Sequence, residues 1–257
     1  MAADWYCLRL GYLAATLAYL GYFDQARSLA NEGLVEARRL QHAHTLEFNL
    51  HFMCLVALLA NLSHDTRPYV EEMIDLANEH GFPLWLAAGT SYHGRLSIAI
   101  GHPSDGVSLL TQAVSQYRAI GAAMSTPTRL ASLADAHRRL GHLSEGLSRL
   151  AEAGKIIEAT DERQDEASVY RVQGDLLNAT GDQAAAERSY RRALAVAERQ
   201  NARALELRAA TSLACLWRDQ GKRTEARDLL APVYGWFTEG LDAPVLQDAK
   251  ALVDELT

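Results

Sequence analysis

Nine histidines are the first candidates for chemistry, because histidine binds zinc and transfers protons near neutral pH. The densest group is His42, His44 and His51, and the next is His137 with His142. A zinc site needs three or four ligands at characteristic spacings. His42 and His44 fall in a predicted loop, and His51 lies most of two helical turns further on. We therefore interpret these residues as solvated or helix-face histidines and expect no metal site.

Two other patterns match catalytic or nucleotide-binding motifs only in part. Gly221-Lys222-Arg223-Thr224 matches the end of a phosphate-binding loop, but that motif needs Ser or Thr directly after Lys and a Gly at the position of Leu216. The carboxylates at 161–162 and 165–166 open a predicted helix, whereas general acid–base catalysis requires a water-restricted cleft. No Ser-His-Asp or Cys-His spacing rises above chance. The sequence therefore predicts no enzyme, no catalytic residue and no cofactor.

Charge and hydropathy point away from further classes of function. The formal net charge of −7 lacks the basic excess of a nucleic-acid-binding protein. No apolar run reaches the roughly 18 residues of a membrane span, and the N-terminus lacks the basic region of a signal peptide. Cys7, Cys54 and Cys215 lie far apart in hydrophobic segments, which indicates free thiols in a reducing compartment. We expect a cytoplasmic protein with no nucleic-acid or membrane partner.

A forty-residue recurrence of glycine predicts the architecture. The marks of this register are Gly21, Gly101, Gly141, Gly181 and Gly221, and the missing position holds Asn61. Asparagine is the best substitute for glycine in left-handed backbone. Each mark is expected to end the first helix of a hairpin and to begin a short turn into the second.

Residues around the marks support helix hairpins. Positions seven before and five after each mark are small, as two closely crossing helices require. Helix N-caps are expected just after the marks, at Asp24, Ser104, Ser144 and Asp182. These features predict an all-α solenoid with a single domain over 1–257. It should have about six hairpins, near 4–40, 44–80, 84–120, 125–160, 163–200 and 203–239, and a C-terminal capping helix over 244–256.

The register also resembles a known repeat family. A small residue at −7, Gly at the mark and Ala at +5 and +12 resemble the tetratricopeptide repeat (TPR), best at Gly174–Gly181–Ala186–Ala193 and Ala134–Gly141–Gly146–Ala153. The standard TPR has about 34 residues. A longer-helix variant occurs in the C-terminal regions of large bacterial signalling proteins, which join a cyclase or DNA-binding head to a STAND-type ATPase and then to TPR-like repeats.

The resemblance covers most of the chain and is weakest over the first twenty residues. It is closest at 81–87 (GFPLWLA), 204–214 (ALELRAATSLA), 216–222 (LWRDQGK) and 226–240 (ARDLLAPVYGWFTEG). It implies a right-handed α-α superhelix, the TPR-like solenoid. Since no cyclase, ATPase or helix-turn-helix head is present, it also implies the sensing or scaffolding part of such a regulator, as a fragment or as a stand-alone relative.

The resemblance further implies a binding face. In TPR-like solenoids the first helix of each hairpin lines the concave surface, which here should be apolar around His51 and polar further on. The candidate binding residues are Arg95, Asp135, Arg138, Arg171, Asp175, Asn178 and Arg218. Two interpretations stay open. The charges pair across hairpins, Arg138 with Asp175 and Asp135 with Arg171, and merely solvate the face; or the arginines bind a peptide or a small anion.

We therefore expect a non-catalytic protein–protein interaction scaffold or regulatory module of a bacterial signalling system, with a peptide or partner domain on its concave face. The alternative is a metabolite-sensing effector domain of a bacterial regulator. Exposed aromatic residues near the N-terminus, Trp5, Tyr6, Tyr12 and Tyr19, also suggest a homodimer through the N-terminal hairpin.

Overall fold

The computed structural model describes residues 3–62, 66–122 and 124–257, and these residues contain thirteen α-helices and no strand. The all-α prediction is confirmed. The chain forms two compact units, Met1–Ala123 (unit 1) and Met124–Thr257 (unit 2). Within the described ranges, no helix combines the length and the hydropathy needed to cross a membrane. The hairpin count and the single domain over 1–257 stay predictions.

The helices of each unit follow one another through short turns. Those of unit 1 are α1 (Trp5–Leu20), α2 (Phe23–Leu40), α3 (Ala43–Leu59), α4 (Arg67–His80), α5 (Pro83–Ala99) and α6 (Pro103–Ala119). Those of unit 2 are α7 (Thr126–Arg139), α8 (Leu143–Thr160), α9 (Glu166–Ala179), α10 (Gln183–Arg199), α11 (Arg203–Asp219), α12 (Arg223–Gly235) and α13 (Pro244–Leu256).

Left-handed backbone recurs every twentieth residue and separates the helices. The backbone angle φ is positive at each such position from 21 to 221, between 52° at Gln41 and 91° at Gly21. These residues are Gly21, Gln41, Asn61, Gly81, Gly101, Gly121, Gly141, Asp161, Gly181, Asn201 and Gly221. The predicted glycine marks and their replacement by Asn61 are confirmed. The forty-residue period did not predict the alternate positions, which end the second helix of each pair.

A Schellman motif closes the helix at most of these positions. At the first, the Gly21 N–H donates to the carbonyl oxygen of Ala18 at 3.1 Å, and the Tyr22 N–H donates to that of Leu17 at 2.9 Å. The motif occupies the mark and one further residue. After most of these positions the next helix begins two residues later, as α2 does at Phe23.

This short turn corrects three of the four predicted N-caps. Asp182 does cap α10, because its Oδ1 accepts from the Ala185 N–H at 2.9 Å. Asp24, Ser104 and Ser144 lie inside the first turns of their helices, and the N-cap position before each is a Tyr or His without a side-chain cap. Those three predictions were wrong because each helix begins two residues earlier than the cap-like residue suggests.

Paired helices come closest where both carry a small residue. A Cβ atom added to Gly106 of α6 would lie 3.0 Å from the carbonyl oxygen of Gly94 in α5. One added to Gly146 of α8 would lie 3.1 Å from the carbonyl oxygen of Ala134 in α7. The small residues predicted at −7 and +5 therefore mark the crossing point of the two helices, as ridge-and-groove packing requires.

The last helix packs on the end of unit 2. α13 contacts α11 and α12 and buries five apolar side chains, namely Val245, Leu246, Ala249, Leu252 and Leu256. Full burial of a Val or Leu side chain contributes about 1.5–3 kcal/mol. Its other face exposes Gln247, Asp248 and Lys250 to solvent. This amphipathic pattern is that of the predicted capping helix.

Substitution of two glycines in unit 2 distinguishes the effect of tight packing on stability from the effect of helix propensity. A Cβ on Gly174 would lie 2.4 Å from Cε1 of the buried Tyr190 ring, whereas one on Gly154 would meet no atom within 4 Å. We expect Gly174→Ala to lower the free energy of unfolding by about 1–3 kcal/mol through overpacking. Gly154→Ala should raise it by up to about 1 kcal/mol through helix propensity. Urea denaturation measures both, and equal stability of the two variants would contradict the packing assigned to Gly174.

Candidate binding surface

Four of the predicted binding residues in unit 2 lie on two neighbouring helices. Asp135 and Arg138 belong to α7, and Arg171 and Asp175 belong to α9. These two helices pack against each other. All four side chains are partly exposed, between 17% for Asp175 and 30% for Arg138. We refer to these four residues as the polar stripe.

The α7 half of the polar stripe is an ion cluster within one helix. Arg138 donates from Nε and Nη2 to Oδ1 of Asp135 at 2.9 and 2.7 Å, and Arg139 donates from Nε to Oδ2 at 3.0 Å. Burial opposes ionisation of Asp135, but Arg138, Arg139 and Arg171 outweigh it and lower its pKa below the ordinary value. The carboxylate is therefore ionised at neutral pH.

The α9 half is joined to α10 by a tyrosine. Arg171 donates from Nη1 to Oδ2 of Asp175 at 2.6 Å, and the Tyr190 hydroxyl donates to Oδ1 at 2.8 Å. Since Gly174 has no side chain, the Tyr190 ring lies directly against α9 and its hydroxyl reaches Asp175. Burial, and then the Asp175 carboxylate, raises the pKa of Tyr190 far above its ordinary value. The hydroxyl therefore stays protonated and donates.

The direct ion pairs of the polar stripe form within helices, not between hairpins as the first interpretation predicted. Arg138 pairs with Asp135 at spacing i,i+3, and Arg171 pairs with Asp175 at i,i+4. Helix geometry brings such residues together without any requirement on the neighbouring helix. Burial lowers the pKa of Arg138, and Asp135 on the same helix raises it. Asp175 on the neighbouring helix also raises this pKa, by a smaller amount, so the two helices still attract each other at longer range.

The remaining predicted residues have different surroundings. Arg218 of α11 donates to Asp219 at 2.9 Å and to Glu255 of α13 at 3.1 Å, and so ties the capping helix to α11. Asn178 is exposed near the end of α9. Arg95 is partly buried on α5 and belongs to unit 1.

Aromatic side chains lie together on α1, α3 and α5, the first helix of each pair in unit 1. The ring centroids of Tyr12 and Phe52 lie 4.9 Å apart and those of Phe48 and Trp85 lie 4.7 Å apart, both edge to face. Phe52 also lies 5.3 Å from His51. We refer to these five residues as the aromatic cluster. It connects α1, α3 and α5, and its Tyr12 is 59% exposed.

Sequence reasoning predicted an apolar surface around His51 but missed most of the aromatic cluster. Two of its members, Tyr12 and Phe52, stand nine residues before a mark, as Tyr92 does in the next repeat, and this forty-residue repeat of aromatic residues was the available signal for them. Tyr92 adds a polar contact, since its hydroxyl lies 3.1 Å from Nδ1 of His51.

Two of the histidines considered for metal binding make contacts that stabilise the fold, one at a helix N-cap and one with aromatic rings. His42 is the N-cap of α3, where its Nδ1 accepts from the Thr45 N–H at 3.2 Å. His44 was predicted in a loop, which was wrong because α3 begins at Ala43; its ring lies 5.3 Å from that of Phe48 and 5.8 Å from that of Trp85. In the described part of the chain, no group of three His, Cys, Asp or Glu residues has a metal-binding arrangement.

The carboxylates near the start of α9 make structural contacts. Asp165 accepts from the Thr128 hydroxyl at 2.6 Å, which joins α9 to α7. Glu166 is 3% exposed and accepts from Nη1 of Arg163 at 3.2 Å. Such contacts hold helix ends in place, and Glu166 uses only its Oε1 in this hydrogen bond.

Comparison with known proteins identifies a fold. No protein-family model and no curated protein sequence matches the chain. RapI in its apo form is 10% identical with a TM-score of 0.68, over 99% of this chain and 87% of RapI. A Rap protein complexed with competence and sporulation factor is 14% identical with a TM-score of 0.63, over 96% of this chain and 75% of that protein.

A third similar structure is a STAND protein with a tetratricopeptide repeat sensor from Pyrococcus horikoshii. It is 12% identical with a TM-score of 0.55, and the match covers 96% of this chain and 38% of that protein. At these identities the likeness shows the fold alone. The fold is that of TPR-like helical repeats, as the sequence resemblance implied.

Removing the Tyr190 hydroxyl tests the link between core and polar stripe. Tyr190→Phe should lower the free energy of unfolding by about 1–2 kcal/mol, because Asp175 loses a partly buried hydrogen bond. In an Asp175→Asn background the same substitution should lower the free energy of unfolding clearly less, since the charged acceptor is gone. Urea denaturation of the four proteins measures this coupling, and equal losses in both backgrounds would show that the hydroxyl does not stabilise Asp175.

Proposed function

We propose that this TPR-like chain is a non-catalytic protein-interaction module of a signalling system, which binds an extended segment of a partner protein at the polar stripe. The observation that supports this most is the pair of partly exposed guanidinium groups of Arg138 and Arg171, each held by a carboxylate of its own helix. The concave position of the stripe is part of the proposal.

The arginines are fixed in place yet retain hydrogen-bonding capacity. Arg171 donates to Asp175 from Nη1 alone, which leaves Nε and Nη2 for a ligand. Arg138 uses Nε and Nη2 on Asp135, which leaves Nη1. Because carboxylates already restrain both side chains, a ligand would lose less conformational entropy on ordering them. A planar guanidinium then recognises a carboxylate with defined geometry.

The protonation states favour binding over catalysis. General acid–base chemistry near neutral pH needs a group whose pKa lies close to that pH. Arginines lower the pKa of Asp135 away from that range, and burial with Asp175 raises that of Tyr190 away from it. The stripe therefore offers fixed charges and donors, which suit recognition.

Helix spacing suggests the form of the ligand. Packed helices lie about 8–10 Å apart, and an extended peptide advances about 3.4 Å per residue. A segment that crosses from α7 to α9 would therefore place acidic side chains two or three positions apart over Arg138 and Arg171. Rap bound to competence and sporulation factor and the STAND repeat sensor supply fold-level precedent for ligand binding and signalling.

An array of synthetic peptides tests this proposal. The probes are peptides of about ten residues with two Glu residues at varied separation, with Gln and Lys versions as references. We expect Glu peptides with a separation of two or three positions to bind best, and Arg138→Ala/Arg171→Ala to weaken their affinity at least about tenfold, measured by fluorescence polarisation. Binding should weaken with added salt.

The matched control removes two arginines from second helices of unit 2. Arg149→Ala/Arg191→Ala makes the same change in net charge, and those residues pair with Glu152 and Glu187 away from the stripe. This control should bind like the parent protein. Equal weakening in both double variants would reduce the effect to net charge, and undiminished binding by the stripe variant would refute the proposed site.

A further inference from the structure

A carboxyl group without a partner lies inside unit 1. Glu47 of α3 is 0% exposed, and in the described part of the chain neither of its carboxyl oxygens has a hydrogen-bond partner. Burying a carboxylate without a partner is so unfavourable that such a group takes up a proton instead. Glu47 is therefore a buried titratable group that has no part in the binding site proposed at the polar stripe.

The repeat register shows that the fold does not require a carboxyl here. Glu47 stands fourteen residues before the mark at Asn61. The residues at the same offset in the other repeats are Cys7, Ala87, Pro127, Ala167 and Leu207, and all five are buried. A core position that is apolar or a neutral thiol in five repeats thus carries an acid in the sixth.

Charged groups around Glu47 favour its neutral form. Burial and then the negative charge of Glu72 on α4 raise the pKa of Glu47 to about 8. Arg38 of α2 donates to Glu72 at 2.6 Å and does not contribute to the pKa shift of Glu47. On α3 itself, the buried Cys54 thiol has a pKa raised by burial and, secondarily, by Glu47. Among the described residues, no other charged group contributes to the pKa shift of Glu47.

We propose that Glu47 makes the packing of α3 depend on a proton. With the carboxyl protonated, α3 stays closed against α2 and α4. With the carboxyl ionised, this packing loosens, because an uncompensated charge in the core is better solvated when the helices separate. α3 also carries Phe48, His51 and Phe52, three of the five residues of the aromatic cluster, so the proton on Glu47 controls the helix that holds most of that cluster.

The direction of the pH effect follows from linkage. A carboxyl whose pKa is higher in the folded than in the unfolded state binds more protons when folded. Its favourable contribution is complete below the unfolded value of 4.5 and is lost as pH rises toward the folded value of about 8. Between those values the opening equilibrium rises up to about tenfold per pH unit.

Hydrogen exchange of the full chain, followed by mass spectrometry at about pH 6 and about pH 9 and corrected for intrinsic exchange rates, tests the proposal. In the parent protein, amides of α3 and α4 should exchange at least about tenfold faster at the higher pH. Glu47→Gln, a neutral isostere, should remove this difference. Glu79→Gln neutralises an exposed carboxylate on α4 and should behave like the parent protein.

A second variant, Glu47→Leu, keeps the test valid if Glu47→Gln does not fold. Glu47→Leu introduces the residue found at the same offset in α11, where Leu207 is fully buried. It should show the same pH-independent exchange as Glu47→Gln. Equal pH dependence in the parent protein and in either folded Glu47 variant would overturn the proposal, and so would exchange of α3 and α4 that does not respond to pH in the parent protein.

Discussion

Left-handed backbone at every twentieth residue is the constraint on which the rest of the structure depends. Glycine adopts this conformation freely, whereas residues with a β-carbon resist it, asparagine and aspartate least. Each such position stops an α-helix, and after most of them the next helix begins two residues later. The helices between them are mostly 16 to 18 residues long. Because lengths and turns repeat, residues with the same offset from a mark occupy equivalent places in successive helices. Core positions and surface positions are therefore both set by one spacing.

Close helix crossings connect this spacing to the polar stripe. Position −7 must be small because a second helix passes over it, and in α9 that residue is Gly174. The next residue, Asp175, points partly to solvent. With no side chain on Gly174, the Tyr190 ring reaches across to Asp175 and fixes the carboxylate that holds Arg171. A packing requirement of the core thus orders a charged group on the surface.

Sequence reasoning reached the period, the helical class and the substitution of Asn61 for glycine, because backbone conformation leaves a signature in residue type. It missed the alternate left-handed positions, although Gly81, Gly121 and Asn201 carry that signature, because Gln41 and Asp161 interrupt the pattern and glutamine is a common residue of helix interiors. It also assigned the wrong ion-pair partners. Pairs within a helix follow from spacing alone, whereas pairs between helices depend on crossing angles and rotamers, which a single sequence does not specify.

The same register explains why Glu47 differs from other buried acids of this chain. Glu166 and Glu206 stand fifteen residues before their marks, and each accepts from an arginine three positions earlier, at 3.2 and 2.6 Å. Glu47 lies one position later, which rotates it about 100° around its helix. The residue three positions before it is His44, whose pKa is lowered by burial and then by His42, so the imidazole supplies no positive charge at neutral pH. One step in register separates a compensated buried carboxylate from one that must hold its proton.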